Sequence, residues 1–127
     1  MKECIIIIFI IIIVLISNFI LEKYLERSTG ELIGRLENLR IDIQNKEEQK
    51  RLEENYEEIY KLWEKTNDRW AIIELHEELD LIESSIRKLK ANIQTKEETM
   101  AMEKIEECIF LINHIAEKEK FSLKNIF

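Results

Sequence analysis

Residues 70–93, WAIIELHEELDLIESSIRKLKANI, decide the fold. Ile72, Leu75, Leu79, Ile82, Ile86, Leu89 and Ile93 follow one another at alternating steps of three and four. That spacing puts seven branched aliphatic side chains on one stripe of a helix, so it predicts a helix from about Trp70 to Ile93. Ala101, Ile105, Cys108, Ile112 and Ile115 repeat the pattern further on. Between the two stripes, Thr95-Lys96-Glu97-Glu98 reads as a capping box, which would start the next helix after a tight elbow.

The same device stands earlier in the chain. Leu32, Leu36, Leu39 and Ile43 form one stripe, and Leu52, Tyr56, Ile59 and Trp63 another, with Asn45-Lys46-Glu47-Glu48 between them. At an offset of fifty, Leu39 matches Leu89, Ile43 matches Ile93, Lys46-Glu47-Glu48 matches Lys96-Glu97-Glu98, and Ile59 matches Ile109. Either a duplication or the generic likeness of amphipathic hairpins explains this. Both lead to an all-α class: an antiparallel four-helix bundle with coiled-coil-like seams, built from two helical hairpins. The expected bundle covers residues 25–120, with hairpins 25–65 and 69–119 joined at Thr66-Asn67-Asp68.

Composition agrees. There is no proline, and Gly30 and Gly34 are the only glycines. Charged residues make up 35% and hydrophobic ones 46%, too apolar and too regularly spaced for a disordered chain. The formal charge of −7 disfavours nucleic acid as a partner, because phosphates need a basic footprint. Cys4 and Cys108 lie in separate apolar contexts and form no disulfide framework.

From Ile5 to Leu21 only Ser17 and Asn18 are polar. Fifteen Ile, Leu, Val or Phe residues at roughly −0.4 kcal/mol each favour insertion into a bilayer by about 6 kcal/mol. Residues 4–24 are therefore expected to be a transmembrane anchor in contact with the lipid bilayer. Ile16-Ser17-Asn18-Phe19-Ile20 offers no small-residue cleavage site, which favours a retained signal-anchor over a removed signal peptide. The basic residues after the segment are interleaved with acids, and the preceding tail is short. The expected placement is a single-pass protein of the cell membrane with its bundle extracytoplasmic. The first bundle helix is expected to continue the anchor; Ser28-x-x-Glu31 beside Gly30 is the rival reading, a cap that would break it.

In that topology the elbows are distal. Trp63, Trp70 and an apolar C-terminal tail, residues 121–127, gather at the membrane-proximal end. Phe121, Leu123, Ile126 and Phe127 are four large apolar side chains in seven residues. With the two tryptophans they form a candidate interaction surface at the headgroup layer; alternatively these aromatics plug the open end of the core.

His76 and Asp80 share a helix face, and an elbow at Thr95 would bring Asn113 and His114 opposite them. The expectation is a structural polar cluster that fixes register, with a divalent metal as the rarer alternative. Ile73 and Leu111 occupy the positions where a di-iron bundle would place Glu before each His. Cys108 sits on a core stripe, and there is no glycine-rich phosphate loop. No enzymatic activity and no cofactor are expected.

Trp63, Trp70, His76-Glu77-Glu78-Leu79-Asp80 and the ending Ser122-Leu123-Lys124-Asn125-Ile126-Phe127 resemble the domain of unknown function 4363 family. The resemblance covers most of the chain. It implies a small single-pass membrane protein of spore-forming low-GC Gram-positive bacteria. Some family members are encoded beside multipass membrane proteins, which implies a membrane partner of that kind, and no activity is established for the family. Two function classes follow: a non-enzymatic interaction or structural subunit of an integral membrane partner, or a small extracytoplasmic sensor that binds a ligand or metal between helices.

Overall fold

The structure, a computed structural model, describes residues 1–72 and 76–125, with the backbone alone for residues 122–125. It is all-helical among these residues: α1 (Lys2–Gln44), α2 (Gln49–Trp70), α3 (His76–Gln94) and α4 (Glu98–Asn125). Each helix packs on its neighbours in the chain, and α4 closes the bundle against α1. The stripes read from the sequence form the core: Leu32, Leu36, Leu39 and Ile43 from α1, Tyr56, Ile59 and Trp63 from α2, Leu79, Ile82, Ile86, Leu89 and Ile93 from α3, and Ala101, Ile105, Cys108, Ile112 and Ile115 from α4.

α1 is one unbroken helix. The Ser28-x-x-Glu31 break does not form, because Ser28 Oγ donates back to the Tyr24 carbonyl at 2.8 Å and the ladder carries on. Along its first half the apolar residues Ile5–Ile16, Phe19 and Ile20 are all exposed; along its second half Leu25, Leu32, Leu36, Leu39 and Ile43 are buried.

The boundary between the second and third helices differs from the expectation. α2 does not stop near Lys65: it runs through Thr66-Asn67-Asp68 to Trp70. Intrinsic propensity disfavours a helix there, because Thr, Asn and Asp side chains compete for backbone groups. Packing overrides it. Tyr56, Ile59, Trp63, Thr66 and Trp70 continue the three–four spacing, all five are buried, and Thr66 Oγ1 donates to the Leu62 carbonyl at 2.8 Å. Trp70 thus belongs to the seam of α2. Ile72 lies outside both seams and is 84% exposed, while Leu75, also expected on the stripe, is outside the described residues.

The elbows use a different device from the expected capping box. Thr95 Oγ1 accepts nothing from Glu98; it donates to the Ala91 and Asn92 carbonyls and closes the end of α3. Lys46 and Lys96 adopt φ 54° and 59°. The amide of Lys46 donates to Ile43 O and that of Glu47 to Asp42 O; Lys96 to Ile93 O and Glu97 to Asn92 O do the same. Each elbow is a Schellman motif with lysine in the left-handed position where glycine is usual.

The internal match is refined by this geometry. Leu39 and Leu89, or Ile43 and Ile93, are equivalent at an offset of fifty. After the elbow, one residue is lost. Ile59 is equivalent to Cys108 and Trp63 to Ile112, while Ile109, expected to match Ile59, is only half-buried.

Candidate functional site

The two tryptophans are core residues. Trp63 and Trp70 have no exposed surface and pack edge to face, ring centroids 6.3 Å apart and planes at 88°. Their indole N–H groups, buried donors that need acceptors, are both satisfied. Trp70 Nε1 donates to Ser28 Oγ at 3.1 Å, and Trp63 Nε1 to Glu83 Oε2 at 2.5 Å. Both rings are shut inside the bundle and present no free surface.

Glu83 is the centre of a polar network that the sequence reading missed. Tyr60 Oη donates to its Oε1 at 2.8 Å and Arg87 Nε to the same oxygen at 2.9 Å. The Arg87 guanidinium also reaches Tyr60 Oη at 3.2 Å and lies over its ring, 6.0 Å from the centroid. Tyr60 stacks on Tyr56, whose hydroxyl donates to the Ile86 carbonyl at 2.9 Å. Burial pushes the Glu83 pKa up, but the hydrogen bonds from Tyr60, Trp63 and Arg87 outweigh it and hold the carboxyl below its ordinary value. The network clips α2 to α3. Its signal in the sequence is faint: Tyr56, Tyr60 and Trp63 share a face at helical spacing, but the matching carboxylate is twenty residues further on.

The expected polar cluster of His76, Asp80, Asn113 and His114 does not assemble. All four are exposed. The seams explain three of them: Leu79 and Ile112 take the interior, so Asp80, Asn113 and His114, one or two residues after them, turn outward, while His76 is the exposed first residue of α3. The register contributes because Lys118 pairs with Glu78 at 2.8 Å, so the part of α4 level with His76 lies further along the helix than His114. His114 instead stacks on Phe110, and Asn113 lines a groove between α4 and α1. Among the described residues, no three His, Cys, Asp or Glu side chains gather as metal ligands.

Cys108 is fully buried. Burial, with Glu107 nearby, pushes its thiol up to about 12, against the smaller pull of Lys104. It stays protonated at neutral pH and is poorly suited to attack anything.

At the end of the bundle away from the elbows, Lys120 reaches Glu26 at 3.3 Å and Glu22 at 3.9 Å. This pins the last turns of α4 beside the point where α1 leaves its exposed apolar stretch. The next residue, Phe121, is 68% exposed. The side chains of Leu123, Ile126 and Phe127 lie outside the described residues.

No curated protein and no solved structure matches this chain. The family described as "Domain of unknown function (DUF4363)" matches residues 19–126, from the end of the apolar stretch through all four bundle helices, and the chain belongs to that family.

Proposed function

We propose that this protein is a non-enzymatic interaction or structural subunit, anchored in the cell membrane by residues 4–24 and docking onto an integral, multipass membrane partner through its anchor and proximal end. The observation that carries the reading is the two-part character of α1. One continuous helix offers a fully exposed apolar surface along its first half and forms a wall of the bundle along its second. At about 1.5 Å per residue it extends roughly 64 Å, enough to span the ~30 Å hydrocarbon layer and hold the bundle rigidly beyond it.

Within this reading the four helices are two antiparallel hairpins. Contacts between α1 and α2 support it, stepping from Asp42–Arg51 and Asp42–Asn55 through Arg35–Glu58 to Ser28–Trp70. Lys120–Glu26 and Arg40–Glu106 relate α4 to α1 in the same reversed sense. The elbows then stand farthest from the bilayer, and the bundle lies on the extracytoplasmic side.

Native membranes carrying the tagged full chain test the reading. The protein should resist carbonate extraction, a reporter fused after Phe127 should be active outside the cytoplasm, and a multipass protein should co-purify in defined ratio. Release by carbonate would remove the anchor. Recovery of the chain alone from gently solubilised native membranes would remove the partner.

A further inference from the structure

We propose that Ile72 and Phe121 lie in the headgroup layer of the bilayer that holds α1, so that the bundle rests directly on lipid. The proposal builds on the membrane reading of α1 and assigns a lipid surface to the end of the bundle away from the elbows. Both side chains are largely exposed, Ile72 by 84% and Phe121 by 68%. Exposure alone does not single them out, because Phe110 is 67% exposed. Height does.

No linker separates the bundle from the apolar run. α1 is one helix, its apolar residues exposed as far as Ile20 and buried from Leu25 onward. A hydrocarbon layer of ~30 Å takes up roughly 20 residues of helix, and the headgroup region beyond it takes up about four more. With the apolar run ending at Leu21, the headgroup layer surrounds Glu22, Lys23 and Tyr24. Two other segments of the chain reach that height. The Arg69 guanidinium lies over the Tyr24 ring, 5.7 Å from its centroid, and Ile72 follows shortly after Arg69. Lys120 pairs with Glu22 and Glu26, and Phe121 is the next residue. Phe110 stands well above, one turn past Glu106, which pairs with Arg40.

The charges at this height already have partners within the chain. Glu22 and Glu26 meet Lys120, and Lys23 pairs with Glu26 at 3.8 Å and lies over the Phe19 ring. The surface offered to the membrane is therefore apolar tips among paired charges. Such tips bury their surface at the boundary between headgroups and acyl chains, and they need no anionic lipid to do so. Contacts from α1, Ile72 and Phe121 would hold the bundle at one tilt, and so fix the face it turns toward a membrane partner.

Fluorescence quenching tests this in the full chain. Cys4→Ser removes the exposed thiol, and Cys108 is fully buried. Single cysteines are then introduced as Ile72→Cys, Phe121→Cys, Phe110→Cys or Ile12→Cys and labelled with an environment-sensitive fluorophore. Each protein is reconstituted in phosphatidylcholine vesicles with iodide on both sides. Labels at positions 72 and 121 should emit further to the blue than the label at 110. They should lose intensity to a nitroxide carried near the lipid headgroup and resist iodide. The label at 110, as exposed in the bundle and on the same helix as 121, should do the reverse. Iodide quenching at 72 or 121 as strong as at 110 would overturn the proposal and leave those side chains to a protein partner. Ile12→Cys reports on the anchor alone, through a nitroxide placed deep in the acyl chain. Quenching there beside a wet 72 and 121 sinks this proposal and spares the membrane reading; a wet position 12 sinks both.

Discussion

Trp70, the last residue of α2, donates its indole N–H to Ser28 of α1 across 3.1 Å, and Ser28 passes the interaction on to the Tyr24 carbonyl at 2.8 Å. The bond ties the end of one helix to the stretch of another that has just left its exposed apolar run. It also explains why a serine is tolerated at a buried helical position. Ser28→Ala should leave the Trp70 N–H buried without an acceptor, at a cost of about 1–3 kcal/mol. Trp70→Phe, which removes the donor instead, should cost less in combination with Ser28→Ala than the two single changes summed. A double-mutant cycle in urea measures the difference.

Glu83 makes the bundle sensitive to acid. Its folded-state pKa lies below the ordinary value of 4.5, so the stabilisation it brings is complete above that value and is lost as pH falls through the lowered folded pKa. Thermal melts from pH 7 downward should therefore drop more steeply below about pH 4.5 for wild type than for Glu83→Gln, in which the titrating group is gone. At pH 7, Glu83→Ala should destabilise by about 1–3 kcal/mol, because Trp63 keeps a buried donor with no acceptor.

Leu79 and Ile72 stand on one expected stripe but in different surroundings. Leu79 is 2% exposed and Ile72 is 84% exposed. Leu79→Ala should cost about 2–5 kcal/mol through lost burial and the cavity left behind. Ile72→Ser should stay within ~0.5 kcal/mol. Equal shifts in the melting temperature would put the start of α3 back at Trp70.

Lys96 holds a left-handed backbone conformation at φ 59° that costs a residue with a Cβ about 1–2 kcal/mol. Lys96→Gly should raise stability by up to about 1 kcal/mol, the gain reduced by the extra freedom glycine has in the unfolded chain. Lys46→Gly, at the equivalent elbow, should behave alike. A drop in melting temperature in both variants would mean that the lysine side chains support the elbows.

The sequence by itself determined the class of this protein: the three–four spacing of aliphatic residues, an absence of proline and a pair of matching polar elbows leave little but helices. It also singled out most of the core, because a seam that repeats over several turns is a local property that neighbours along the chain report. The tertiary structure decided what depends on partners distant in sequence. Thr66-Asn67-Asp68 looks like a turn until Thr66 and Trp70 are seen to bury against the other helices, and that burial outweighs a propensity difference of a few tenths of a kcal/mol per residue. His76 and His114 look like neighbours until the register, visible in the Glu78–Lys118 pair, is known. Glu83 looks like any surface acid until Tyr60, Trp63 and Arg87 converge on it. Periodicity tells which face of a helix turns inward, but the height at which two helices meet is set by the fit of whole seams, and a shift of one turn changes every polar partner while leaving the apolar pattern intact.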